Sequence, residues 1–126
     1  RILAAGDNAR WPDPRTGRPI RVEHWVVAQR QGQAAARTML GSSEPYRDVP
    51  FFWTTQFGVS VAYVGHAESF DRVEIDGSPE GHDAAFRYVA GGRMVALATI
   101  GRDQESLKAE VAMLAESDGA GAGRPA

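Results

Sequence analysis

The sequence predicts an α+β fold, an antiparallel sheet of about four to five strands with helices packed on one face. Three observations carry this reading. Residues 22–40 and the residues after Asp103 carry stripes at helical spacing. Between them lie four segments of strand length that alternate or run apolar, separated by turn residues. The helical patterns flank the strand patterns and do not alternate with them, which groups the helices in one layer beside the sheet.

The chain opens on Ile2-Leu3-Ala4-Ala5, without an initiating Met. This run reads as a buried strand, and a buried strand needs neighbours on both sides, so the chain is expected to be a piece of a longer one. Trp11-Pro12-Asp13-Pro14 and Thr16-Gly17-Arg18-Pro19 are turn chemistry within residues 8–19. A helix over 22–40 follows, with Glu23 expected in its first turn, where the macrodipole favours an anion. Ala28, Gly32 and Ala36 form a stripe with almost no side chain. Gly32 costs about 1 kcal/mol of helix propensity, so close approach of another backbone is expected there. Gly41 ends the helix.

A connector over 42–50 leads to Phe51-Phe52-Trp53, the densest aromatic cluster. Strands are predicted over 59–64, 72–76, 84–89 and 94–100. Val73 and Ile75 are expected to point inward, and Phe86 and Tyr88 to share a face. Residues 77–81 make a turn, and Gly91-Gly92 is a two-residue hairpin signal. The last strand, apolar on both faces, belongs at the centre of the resulting meander. Asp103 is expected to cap a closing helix that buries Leu107, Val111 and Leu114. From Ser117 onward the chain has nothing to bury, and residues 117–126 are expected to be a disordered tail.

Composition removes several functions. The net charge of −2, from 14 basic and 16 acidic residues, gives no basic footprint for nucleic acid. No polybasic patch suits a membrane surface, and no apolar run reaches the roughly 18 residues of a membrane span. The absence of cysteine rules out a disulfide framework, a zinc–thiolate site and a Cys nucleophile in this chain. His24, His66 and His82 lack metal-ligand spacing, so no metal site is expected. A cytoplasmic setting is the default for such a chain.

Gly119, Gly121 and Gly123 imitate a phosphate loop, but they follow a helix and precede none, so they read as linker. More informative is Ala4-Ala5-Gly6-Asp7 directly after an apolar run. A glycine lets backbone approach a ligand closely, and a carboxylate at a strand's C-terminal edge can accept hydrogen bonds from sugar hydroxyls. A-A-G-D-N-A-R-W-P is followed in order by R-V-E-H-W-V-V-A-Q-R-Q-G-Q-A-A-A, P-F-F-W-T-T-Q-F, Y-V-G-H-A and V-A-L-A-T-I-G-R-D. Together these segments resemble the C-terminal third of FAD-dependent NAD(P)H:ferredoxin reductases, a family that includes putidaredoxin reductase, the reductases of biphenyl-type dioxygenases and, more distantly, apoptosis-inducing factor. The resemblance covers residues 1 to about 116.

The resemblance implies that residues 1–41 are the last strand and helix of an FAD-binding domain and residues 42–116 the reductase C-terminal domain. It implies FAD as cofactor, NAD(P)H as co-substrate bound elsewhere, and a ferredoxin- or rubredoxin-like electron acceptor. Gly6 and Asp7 look like the family's flavin-contacting pair, with Asp7 on the ribityl chain. Trp25 looks like the residue whose backbone meets the pyrimidine edge of the flavin, and Glu23 and His24 flank it. Trp53 looks like the aromatic near the flavin where the acceptor docks, so Asp7 and Trp53 are expected to face one cavity. No residue is assigned a proton-transfer or nucleophilic role. Disulfide reductases also end in a flavin Gly-Asp, but they carry a His-Pro-Thr…Glu signature, and His66-Ala67-Glu68 lacks it. The competing reading is a stand-alone α+β interaction module that docks a partner through residues 51–53 without a cofactor.

Overall fold

The computed structural model describes residues 2–121, with side chains through Ser117. The chain divides into two compact units, one running to Asp48 and taking in the chain from Leu114, the other spanning Val49–Met113.

In the first unit, residues 2–5 form no strand. Ile2 is fully exposed and Leu3 is 38% exposed. The expected buried strand is therefore not found: an extended segment is fixed by hydrogen bonds to its neighbours, and no described residue pairs with this one. The turn-rich stretch instead folds back as a small hairpin, β1 (Trp11–Pro12) on β2 (Pro19–Ile20). Asp13 closes its tip, accepting from the Arg15 amide (3.1 Å) and the Thr16 hydroxyl (2.9 Å). Trp11, Ile20 and Val27 form the core, with Val22 and Tyr46 packed against them. The Tyr46 ring meets Trp11 edge-on at 5.7 Å.

Helix α1 runs from Trp25 to Met39, shorter at its start than the sequence pattern suggests. His24, not Glu23, forms the start of the helix: it has extended dihedrals, and its Nδ1 accepts from the Val26 amide at 3.3 Å. Glu23 lies outside the first turn and pairs with Arg21 at 2.7 Å. At the far end Gly41 takes φ +98. The Ser42 amide donates to the Arg37 carbonyl and the Gly41 amide to the Thr38 carbonyl, the paired bonds of a left-handed helix stop.

The second unit holds five antiparallel strands: β3 (Phe51–Gln56), β4 (Val59–Gly65), β5 (Arg72–Ser78), β6 (Asp83–Ala90) and β7 (Arg93–Ile100). Their order is β3-β4-β7-β6-β5. The central place of β7 follows from its double-sided apolar sequence, and Ala96, Leu97, Ala98 and Thr99 are all buried. The strands do not form the simple meander expected. β5, β6 and β7 do, but β4 lies beside β7 after a long connection, as in a Greek key. The hairpin at Gly91-Gly92 forms as predicted, both glycines at positive φ. Gly77, expected in a turn, instead pairs with Ala84 inside β5.

Helix α2 (Asp103–Gly121) packs on one face of this sheet. Asp103 is its first helical residue, and the Arg102 carbonyl accepts from the Glu105 and Ser106 amides. The buried face of α2 is not Leu107, Val111 and Leu114. It is Ser106, Ala109, Met113 and Ser117, while Leu107 and Val111 are 55% and 70% exposed. The sheet beneath accounts for the exchange. Ala85 and Leu97 cluster with Ala109, and Thr99 and Ser106 share a buried 2.6 Å hydrogen bond. That approach leaves room for small residues on the helix and none for leucine.

Val73 and Ile75 are likewise outward, on the edge strand β5, where every residue is exposed. They share a face with Tyr88 and Phe86, their register partners. The helix also continues through Ser117, which is buried and whose carbonyl accepts from Arg47 Nη1 at 3.2 Å, so the tail does not begin there. Residues 122–126, which include Gly123 of the glycine-rich tail, lie outside the described residues.

Candidate cofactor-facing loop and docking groove

The first candidate site is the loop at Gly6 and Asp7. Gly6 is buried with φ +87, a conformation that disfavours any side chain. A Cβ there would sit 3.5 Å from the Ala28 Cβ, so backbone conformation, not space, requires the glycine. Its amide donates to Gln31 Oε1 at 2.8 Å. Gln31 is 5% exposed and, with Val27, makes the buried face of α1. Of the small-residue stripe, Ala28 lies against the loop. Nothing would lie within 4 Å of a Cβ at Gly32, so no described residue makes the close approach expected there.

Arg21 joins the loop to the start of α1. Its Nη1 donates to the Asp7 carbonyl at 3.2 Å and its Nη2 pairs with Glu23 at 2.7 Å. The Asp7 side chain is left exposed. Next along the chain, the His24 and Trp25 rings lie 5.9 Å apart, and Trp25 is 60% exposed. Burial pulls the His24 pKa below its ordinary value. No acidic residue occupies the first turn of α1, and the neighbouring Glu23 is paired with Arg21. Gly6, Asp7, Glu23, His24 and Trp25 are therefore brought together in the first unit. The sequence analysis missed Arg21 and Gln31. A glutamine four residues after Val27 on the buried helix face was a readable signal; Arg21 offered none beyond its closeness to Glu23.

Trp53 belongs to the second unit. It stands on the outer strand β3, 45% exposed, with the Phe51 ring at 6.3 Å on the same face. Phe52 points the other way, onto Tyr63 at 5.2 Å. Phe51, Trp53 and Ala62 form the sheet wall of a groove of about 310 Å³, and Asp103 and Leu107 of α2 form its other wall. Exposure of Leu107 thus belongs to a surface that also presents Trp53.

Among the described residues no cluster of His, Cys, Asp or Glu is arranged to hold a metal ion, and no helix is long and apolar enough to cross a membrane.

Residues 51–119 match the family model described as "Reductase C-terminal". The chain is 36% identical over 103 residues to human apoptosis-inducing factor 3, covering 81% of this chain and 17% of that protein. It is 32% identical over 105 residues to the ferredoxin–NAD(+) reductase component of the anthranilate 1,2-dioxygenase system of Burkholderia cepacia, covering 81% and 26%. With putidaredoxin reductase of Pseudomonas putida it shares 31% identity over 104 residues, covering 82% and 25%. Among solved structures, the covalent putidaredoxin reductase–putidaredoxin complex superposes with a TM-score of 0.83 at 28% identity, covering 91% of this chain and 28% of that one. The chain spans about a quarter or less of the length of these curated relatives, and apoptosis-inducing factor 3 stands no further from it in identity than the reductases. With its α+β sheet-and-helix architecture and a family match over more than half its length, the chain belongs to the reductase C-terminal family.

Proposed function

We propose that this chain is the C-terminal part of a cytoplasmic FAD-dependent NAD(P)H:ferredoxin oxidoreductase, and that it supplies one wall of the flavin site and the surface on which the electron acceptor docks. The observation that carries this reading is the indole of Trp53, half-exposed beside Phe51 above the groove closed by Leu107. Large aromatic side chains at an accessible groove are the usual anchors of a protein interface.

The loop of the first unit fits a flavin. The Gly6 amide is already bonded to Gln31 and the Asp7 backbone is held by Arg21, which leaves the exposed Asp7 carboxylate as an acceptor for polyol hydroxyls. The N-terminus of α1 at Trp25, with no acidic residue in its first turn, His24 at its cap and Glu23 engaged by Arg21, suits the electron-rich pyrimidine edge. When bound, FAD would take a hydride from NAD(P)H and release its electrons singly to an iron–sulfur or rubredoxin-like protein. The chain's own residues bind, orient and present; none of them transfers a proton. On this reading residues 1–41 close the FAD-binding domain and residues 42–116 form the C-terminal domain. Alone, the chain binds FAD weakly, because a cofactor site needs most of the ligand buried. It is then inactive and self-associates through exposed apolar surface.

The test uses the intact reductase and its Trp53→Ala variant. The variant is expected to reduce a ferredoxin-type acceptor about tenfold less efficiently in kcat/KM, or about 1.4 kcal/mol. Equal efficiency would remove Trp53 from the docking surface.

A further inference from the structure

We infer that Arg102 is a positioning residue for the Trp53 groove, setting the separation of its two walls from the side opposite the indole. This inference rests on the reading that the groove receives the acceptor protein.

One wall of the groove is the first turn of α2, through Asp103 and Leu107. That turn begins at Arg102, whose carbonyl accepts the first helical hydrogen bonds. The Arg102 guanidinium reaches back across the sheet edge. Its Nε donates to Asp83 at 2.6 Å and its Nη1 to Asp76 at 2.5 Å. Nη1 also lies 3.6 Å from Glu105, which is itself paired with Arg87 of β6. One planar cation thus ties the helix start to both strands of the β5–β6 hairpin, a two-acceptor geometry that a lysine cannot reproduce.

The seat is built for it. Gly77 has φ +91, and a Cβ there would collide with Arg102 Nη2 and with the Asp83 carbonyl. The edge strand therefore carries a glycine where the guanidinium approaches the backbone most closely. The buried Thr99–Ser106 hydrogen bond fixes the middle of the first two turns. Arg102 fixes their beginning, where Asp103 and Leu107 face Trp53. Without the guanidinium, Asp76, Asp83 and Glu105 lose their shared cation, and the helix start is free to move relative to β3.

The experiment compares the intact reductase with its Arg102→Ala, Arg102→Lys and milder Asp83→Asn variants. Two readouts are taken: the indole N–H resonances of Trp53 and Trp11, assigned by Trp→Phe substitution, and titration with putidaredoxin as the probe. Arg102→Ala is expected to shift the Trp53 indole resonance, leave that of Trp11 in place, and weaken putidaredoxin binding about fivefold. Arg102→Lys restores neither, and Asp83→Asn gives a smaller change of the same kind. An Arg102→Ala chain that stays folded with the Trp53 resonance unmoved and binding intact overturns the inference. A Trp53→Ala arm separates the two ideas. If it binds putidaredoxin as the parent does, the docking reading fails, and the positioning role then stands or falls on the Trp53 resonance alone.

Discussion

Replacing Gln31 with leucine tests whether the Gly6–Asp7 loop owes its shape to a single side chain of α1. Gln31 is 5% exposed, and its Oε1 is the acceptor for the Gly6 amide at 2.8 Å. Leucine matches glutamine closely in volume, so the packing against Val27's face survives while the acceptor disappears. The Gly6 amide is then left buried without a partner. An unsatisfied buried donor costs about 1–3 kcal/mol. Against this stands the gain from burying an aliphatic group where an amide was, on the order of 1 kcal/mol. The expected net destabilisation is about 0–2 kcal/mol. The aliphatic gain gives the Gly6 amide no new partner, and because about 1.4 kcal/mol is a factor of ten in an equilibrium constant, loss of a bond worth at least about 1 kcal/mol is expected to speed its exchange with solvent about fivefold or more. Amide exchange by NMR and urea unfolding of the same samples measure both effects. A Gln31→Leu chain with parental stability and an unchanged Gly6 exchange rate would refute the reasoning, because the loop would then be held by something other than this bond.

Three further outcomes follow from the geometry. Ala substitution at Gly17 and at Gly77 separates backbone strain from collision. At Gly17 (φ +69, open space around the Cβ) the cost is about 1–2 kcal/mol for the left-handed backbone alone, and at Gly77 it is larger because a methyl group also strikes the Asp83 carbonyl; equal urea midpoints would contradict this. Thr99→Val leaves the Ser106 hydroxyl buried and unpaired and is expected to cost about 1–3 kcal/mol, whereas Thr99→Val with Ser106→Ala recovers most of the loss in a double-mutant cycle. The His24 pKa is lowered in the folded chain, and its Nδ1 accepts a hydrogen bond only when unprotonated. Its contribution is therefore complete above the ordinary value of 6.5 and lost as pH falls below it through the lowered folded value. Melting temperatures at stepped pH should show this loss in the parent and not in His24→Asn, which keeps a capping acceptor that does not titrate in that range.

Much of the second unit could be read from the sequence because its signals are local. The Gly91-Gly92 hairpin, the double-sided apolar run of β7 and the alternation of β5 each depend on residues adjacent in the chain. Strand β3 went unassigned because Phe51-Phe52-Trp53 does not alternate in polarity; both its faces carry aromatic rings, one toward the Trp53 groove and one toward Tyr63. The site was legible in part. Gly6 and Asp7 came from a motif, but their anchors did not: Gln31 lies 25 residues away and Arg21 14 residues from Asp7. Such bonds are fixed by how α1 lies against the loop, which no spacing rule states.

The direction of the two misread faces is itself informative. Periodicity says which residues share a side, and it says nothing of which side is inside. On α2 the inward side is Ser106, Ala109 and Met113, because the sheet below presents Ala85 and Thr99 and the helix comes close. On β5 the charged residues Glu74 and Asp76 share the side that meets α2, where Arg102 reaches Asp76, while Val73 and Ile75 face away. On α2 the aliphatic groups point outward and the small ones inward; on β5 both sides are exposed, and the aliphatic side is the one away from α2. Exposed Leu107 and half-exposed Trp53 meet in one groove, the surface to which the proposed docking reading assigns the electron acceptor.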